Sequence, residues 1–205
     1  MATQADIDAK LQEYLQLKQS GMGAIELTRQ SIYDTYDIQK DGGSAVATQT
    51  IKFFKIPTGQ SSKTDLDTNL DTAGQIPYTE ALVIGFRSSL VTRSATLLVP
   101  GDYNQVYNCS VFEVYKEDRL ILREPLAKIP AGYGPVAGVG GSLSYAVIAN
   151  GFPAKGNMFD IYPELFMKSD RIQIDVRILQ ALASVSASDL YLRIEAECEI
   201  KREYR

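Results

Sequence analysis

The chain contains no histidine and no tryptophan, and only two cysteines, Cys109 and Cys198. Without histidine the commonest general base is missing, and so is any metal site built on imidazole or on several thiolates. Chemistry would fall to carboxylates, lysines and tyrosines. No spacing brings a set of these together, so the sequence reads as that of a non-enzyme without a cofactor. Both cysteines sit inside predicted strands, where small buried thiols are the preferred reading; a bridge between them stays open, because sequence does not give their Cα separation. The missing tryptophan, and the lack of a cysteine pair flanking one, speak against an immunoglobulin core. Positive charge is not in excess: 21 Lys and Arg stand against 25 Asp and Glu, a net charge of −4 that supplies no field for non-specific nucleic-acid binding. No run of 18 apolar residues occurs, and no basic segment leads into an apolar one at the start. Neither a membrane span nor a secretory signal is expected, and the protein should be soluble when made.

What the sequence has is alternation. From Asp189 to Arg202, Leu190, Leu192, Ile194, Ala196, Cys198 and Ile200 alternate with Tyr191, Arg193, Glu195, Glu197, Glu199 and Lys201. Only a strand sorts these sets onto opposite faces, one apolar and one charged. Upstream, Ile172, Ile174, Val176 and Ile178 alternate with Arg171, Gln173, Asp175 and Arg177 in the same way. Both strands need a core on one side, which an antiparallel sheet with one wet face provides. Further strands are predicted at 47–56, 81–91, 96–99, 106–116, 119–124, 145–149 and 159–166. Glu117 and Asp118 form a hairpin tip, and Pro163 marks an edge or a bulge. No helices alternate with these strands, so the fold class is mainly β: an antiparallel two-sheet β-sandwich of the jelly-roll or immunoglobulin kind. A chain of 205 residues, 45% of them hydrophobic, suits one such domain with an appendage.

The appendage is at the start. Ile7, Leu11, Tyr14 and Leu15 recur at helical spacing over residues 5–19, with Thr3 placed to cap the helix and Gly21 and Gly23 to stop it. A second short helix is predicted from Ala24 to about Asp37, ended by Asp41-Gly42-Gly43. Residues 1–40 then form an N-terminal helical arm and 41–205 the sandwich. The first helix either docks on a neighbouring subunit, through Ile7, Leu11, Tyr14 and Leu15, or packs on its own sheet.

Several motifs invite a function and lose it on inspection. Gly132-Tyr133-Gly134-Pro135-Val136-Ala137 loosely matches a dinucleotide loop, yet Pro135 removes an N–H and no helix follows. Asp65, Asp67, Asn69 and Asp71 recur every second residue as calcium ligands do, but a calcium hand wants glycine at Leu70 and glutamate at Ile76. A looser calcium site is the alternative to an exposed polar loop. Asn108-Cys109-Ser110 fits a glycosylation acceptor by chance, inside a predicted strand. Arg193, Glu195 and Glu197 share one strand face, where mixed charge suits a subunit interface better than an acid/base pair.

The run from Arg119 to Gly134 (Arg-Leu-Ile-Leu-Arg-Glu-Pro-Leu-Ala-Lys-Ile-Pro-Ala-Gly-Tyr-Gly), then Gly151-Phe152-Pro153, a strand with Phe159 and Ile161, the strand at 171–178 and a closing strand ending in Lys201-Arg202, resembles jelly-roll capsid proteins of tailless icosahedral bacteriophages. The resemblance covers residues 105–205. It implies a single jelly roll, there being room for only one, and a virion structural protein acting as a capsid or vertex subunit. Its implied partners are copies of itself and other virion proteins, with an internal membrane of the particle as a further contact. Its implied location is the virion, after a soluble stage in the host cytoplasm. No specific nucleic-acid binding and no small-molecule substrate are expected. The alternative is a carbohydrate- or receptor-binding β-sandwich, for which Tyr103, Tyr107 and Tyr133 are the candidate loop aromatics.

Overall fold

A computed structural model describes residues 4–20, 25–38, 47–92, 105–129, 135–138, 145–148, 158–182 and 190–203. One helix, α1 (Gln4–Ser20), is followed by ten strands: β1 (Ile25–Asp37), β2 (Gln49–Phe53), β3 (Glu80–Thr92), β4 (Ser110–Lys116), β5 (Arg119–Pro125), β6 (Pro135–Gly138), β7 (Tyr145–Ile148), β8 (Phe159–Met167), β9 (Ile172–Ile178) and β10 (Leu190–Glu203). Eight of them make two antiparallel four-stranded sheets, ordered β1-β10-β3-β8 and β2-β9-β4-β5, packed face to face as a β-sandwich. The pairing is nested. β4 and β5 form the innermost hairpin, and around it β3 pairs with β8, β2 with β9, and β1 with β10. Two further pairings, β10 with β3 and β9 with β4, join these pairs into sheets. β6 and β7 form a separate two-stranded hairpin.

The alternating apolar residues of β10 and β9 all reach the core, and Phe53, Phe86, Phe112 and Phe166 fill the space between the sheets. Each such side chain withdrawn from water contributes roughly 1.5–3 kcal/mol. Phe86 of β3 and Phe112 of β4 meet across the layers with ring centroids 5.3 Å apart, and Tyr36 of β1 meets Phe53 of β2 edge-on at 6.3 Å. One polar cluster is built into this interior. The Ser88 hydroxyl lies 3.0 Å from both the Tyr107 hydroxyl and the Ile129 carbonyl, so burial leaves none of the three unsatisfied.

Three expectations change. Residues 25–37 are not a second helix of an arm over residues 1–40; they pair with β10 along their whole length, from Ile25 opposite Glu203 to Asp37 opposite Tyr191. Ile32, Tyr33, Thr35 and Tyr36 favour a pleated backbone, and β10 needs a neighbour on that side. The reason for the misreading is the core face of β1, where Thr28, Gln30 and Asp34 stand opposite Ile200, Cys198 and Ile194 and hide the alternation. The glycine-rich stretch after Leu126 is not wholly irregular, since Leu126–Lys128 is a 3-10 turn and Pro135–Gly138 pairs with Tyr145–Ile148. Residues 106–108, expected to begin a strand, lie instead in a helical turn over 105–108 before β4. The strand predicted at 96–99 lies outside the described residues. Pro163 is on β8, an edge strand, and the β3–β8 register shifts between Val83 and Gly85, as an edge proline or bulge requires.

Candidate interaction surfaces

The outer face of β10 carries Arg193, Glu195, Glu197 and Glu199, and it is not wet as the alternation suggested. Glu197 and Glu199 are 7% and 4% exposed. β10 is a central strand, and long side chains from its neighbours fold over it. Arg87 of β3 reaches Glu197 at 2.7 Å, the Ser31 hydroxyl donates to the same carboxylate at 2.9 Å, and Arg29 approaches Glu199 at 3.6 Å. Glu195 lies between Arg193 and Arg87. Its burial, reinforced by Glu197, outweighs those cations and raises its carboxyl above the usual range. Arg193 covers the Tyr33 ring at 5.1 Å, donates to the Thr35 hydroxyl at 3.0 Å, and also donates to the Leu66 carbonyl. The structure therefore brings Arg193, Glu195 and Glu197 together on one surface, with Arg193 and Glu197 bonded inside the chain.

Helix α1 lies on this same sheet. Leu11 packs beside Leu82, Ile84, Leu165 and Met167, a small apolar cluster apart from the main core, and Lys10 pairs with Glu80 at the start of β3. Leu15 is 43% exposed. The side chains of Ile7 and Tyr14 lie outside the described residues. Of the two placements left open by the sequence, this single chain adopts the one in which the helix packs on its own sheet.

The outer face of the second sheet holds a charge row that sequence reading missed. Strand register sets Lys52, Asp175, Glu113 and Arg123 side by side across β2, β9, β4 and β5. Glu113 is only 2% exposed and accepts from Arg123 Nε at 2.8 Å, Arg177 Nη1 at 3.2 Å and the Tyr115 hydroxyl at 2.8 Å. Burial works against its charged form, but Tyr115, Arg177 and Arg123 outweigh it and hold the carboxyl below its usual range. Gln173 donates to Asp175 at 2.9 Å. Arg177 and Asp175 were legible as the polar face of β9; their neighbours on β4 were not, because register is a tertiary fact.

The polar loop after β2 is tied down by β1. Asn69 accepts from the Tyr33 N–H and donates to the Ser31 carbonyl, both at 2.9 Å, so its amide mimics a strand along the free edge of β1. Thr68 bridges to Asp34, and the Tyr33 hydroxyl donates to the Asp65 carbonyl. Asp67 accepts from the Thr64 N–H at 2.9 Å and the Thr64 hydroxyl at 3.0 Å. The side chains of Asp65 and Asp71 are exposed. The alternating set thus splits among different jobs instead of converging, and no group of three or more metal-binding side chains occurs among the described residues.

Asp34, also unforeseen, is the anchor of this corner. Its carboxylate is 1% exposed, accepts from the Thr35 N–H at 2.9 Å and the Phe54 N–H at 2.6 Å, and pairs with Lys63 from the loop. Burial exceeds these favourable contacts and raises its carboxyl above the usual range. Phe54 itself is held at a left-handed φ of 62°. Between the loop and the ends of β1 and β10 is a cavity of about 330 Å³. A second hollow of about 240 Å³, lined by Ile121, Leu122, Phe159, Ile161 and Tyr162, lies where the β5 and β8 edges meet.

No family model and no curated protein matches the chain. Cys109 and Cys198 are both free thiols. Cys198 is in the core, where burial and then Glu197 push its thiol up and leave it unreactive. Cys109 lies just before β4, its Sγ 3.7 Å from the side-chain amide oxygen Oε1 of Gln180. Tyr107 is buried at 3% and cannot serve as an exposed loop aromatic, while Tyr103 and Tyr133 lie outside the described residues. Among the described residues no helix is long and apolar enough to cross a membrane.

Proposed function

We propose that this chain is a virion structural protein, a single jelly-roll capsid or vertex subunit that assembles with copies of itself and with other virion proteins. The observation that carries the reading is the nested pairing of its eight principal strands, first with eighth, second with seventh, third with sixth and fourth with fifth. A long hairpin rolled up in this way into two four-stranded sheets supports the jelly-roll reading, an architecture found in capsid and lectin domains. The surfaces favour assembly over catalysis. On the outer faces of the sheets the carboxylates are buried and paired within the chain, and the half-exposed arginines that cover them, Arg29, Arg123 and Arg177, are the charges a partner would meet.

The N-terminal helix is the arm of this proposal. It is seated through Leu11 and Lys10 on a satellite cluster, so its release costs the sandwich little of its core. Light scattering across protein concentration and salt, with electron microscopy of any large fraction, tests the reading. The expected result is a discrete oligomer or closed particles for the full chain. A chain lacking residues 1–22 should remain folded and fail to assemble. Strictly monomeric behaviour of the full chain under every condition would overturn the proposal, and unchanged assembly after truncation would overturn the role of the arm.

A further inference from the structure

We infer that helix α1 is exchanged between copies of this chain: in the assembled state it sits on the β3–β8 surface of a neighbour, in the place that the neighbour's own helix has left. The inference rests on the assembly reading and names the surface that receives the arm. That surface is the outer side of β3 and β8 around Leu82, Ile84, Leu165 and Met167, with Glu80 at the start of β3.

Within a single chain α1 is thinly packed. Among its described side chains only Lys10 and Leu11 are half-buried, and the rest are exposed. Leu15 lies one turn beyond Leu11 on the same helix face, yet it too is exposed. Isolated helices of up to about 15 residues are marginal in water even when rich in alanine, and most helical stability in proteins comes from burying a face. At 17 residues, α1 is little longer than that limit. One leucine contact and one ion pair leave it in need of a second surface, which another copy supplies.

The seat itself says how the helix is shared. Leu82 and Leu165 belong to a cluster apart from the main core, and with Leu11 packed against them they are buried. A helix that moved from this seat to an unrelated patch on a neighbour would uncover them. Reciprocal exchange avoids that exposure. Each vacated seat is refilled by an identical helix, with the same apolar contact and the same Lys10–Glu80 pair, so no interaction is lost and the subunits become linked. The chain between Ser20 and Ile25 carries Gly21 and Gly23, which have no side chain to bar a change of direction.

Reciprocal charge reversal in the full chain tests the exchange. In Lys10→Glu, and equally in Glu80→Lys, like charges meet at the seat both within a chain and between identical chains. Each variant alone should therefore need about tenfold more protein for half-assembly in light scattering. Mixed in equal amounts, the two should assemble as the parent does, because the helix of each finds an opposite charge on the sheet of the other; within one chain it never does. A cross-link gives the second readout. Lys10→Cys chains and Glu80→Cys chains, both also carrying Cys109→Ser, are mixed and treated with a short bismaleimide; Cys198 is buried. A covalent dimer of the two should appear on a denaturing gel. Circular dichroism checks that each charge variant folds, and the cross-link decides if either does not. The exchange is overturned, with the assembly reading left standing, if the parent assembles but the mixed charge variants do not recover and no covalent dimer forms, or if each charge variant alone assembles as the parent does. A parent chain that stays monomeric under every condition overturns both.

Discussion

Replacing Lys63 by methionine should be among the most damaging single changes outside the hydrophobic core. Lys63 and Asp34 are 12% and 1% exposed, so their ion pair is shielded from water, and methionine keeps the length of the side chain while removing its charge. Asp34 would retain two backbone N–H donors, from Thr35 and Phe54, and lose its only cation among the described residues. Removing one partner of a buried pair costs roughly 3–5 kcal/mol, because the other charge stays behind uncompensated. In urea this corresponds to a midpoint lowered by about 1–2 M. The pH dependence carries the sharper test. Asp34 already has a raised pKa, and without Lys63 it rises further. A carboxyl whose folded pKa lies above its unfolded value contributes stability that is full below the unfolded pKa and is lost as pH rises through the folded one. The deficit of Lys63→Met should therefore be largest at neutral pH and shrink on acidification, where Asp34 is neutral in the variant. Urea titrations followed by circular dichroism at fixed protein concentration, at pH 7 and pH 5, measure both quantities. A loss below about 1 kcal/mol at pH 7, or a deficit that grows on acidification, would refute the reasoning, since neither fits a desolvated charge left alone.

Two further outcomes follow from local geometry. A Cβ on Gly85 would lie 2.5 Å from Met158 Cγ and 2.7 Å from the Phe159 carbonyl oxygen, so Gly85→Ala should lower stability by about 1–3 kcal/mol in a thermal melt. Adding Met158→Ala should restore only part of this, because the backbone oxygen remains. Glu113 has its carboxyl held below the usual range, so its contribution is present above the unfolded pKa and lost as pH falls. Glu113→Gln should cost about 1–2 kcal/mol at pH 7, discounted because Arg123 and Arg177 are half-exposed, and should flatten the acid limb of a stability–pH curve.

Much of the sandwich is legible in the sequence because strand alternation is a local property. β9 and β10 declare their core faces residue by residue, and the β4–β5 hairpin declares its tip at Glu117 and Asp118. β1 is not legible. Three polar residues, Thr28, Gln30 and Asp34, face inward beside Ile32, and only the demand of β10 for a neighbour makes that segment a strand. The same limit applies to function. Asp65, Asp67, Asn69 and Asp71 looked like one set of ligands, but chain direction in a folded loop sends Asn69 to the backbone of β1 and Asp67 to Thr64.

Composition and period alone settled the class of fold, the mainly apolar inner faces and the absence of histidine chemistry, since these depend on residue type and on neighbours one or two positions away. Partnership across the chain was decided only in three dimensions: Asp34 with Lys63, Glu113 with Arg123 and Arg177, the nested order of the strands, and the cavity walled by β1, β10 and a loop. The energy of each of these depends on distance and burial, and neither exists until the two sheets have closed on one another.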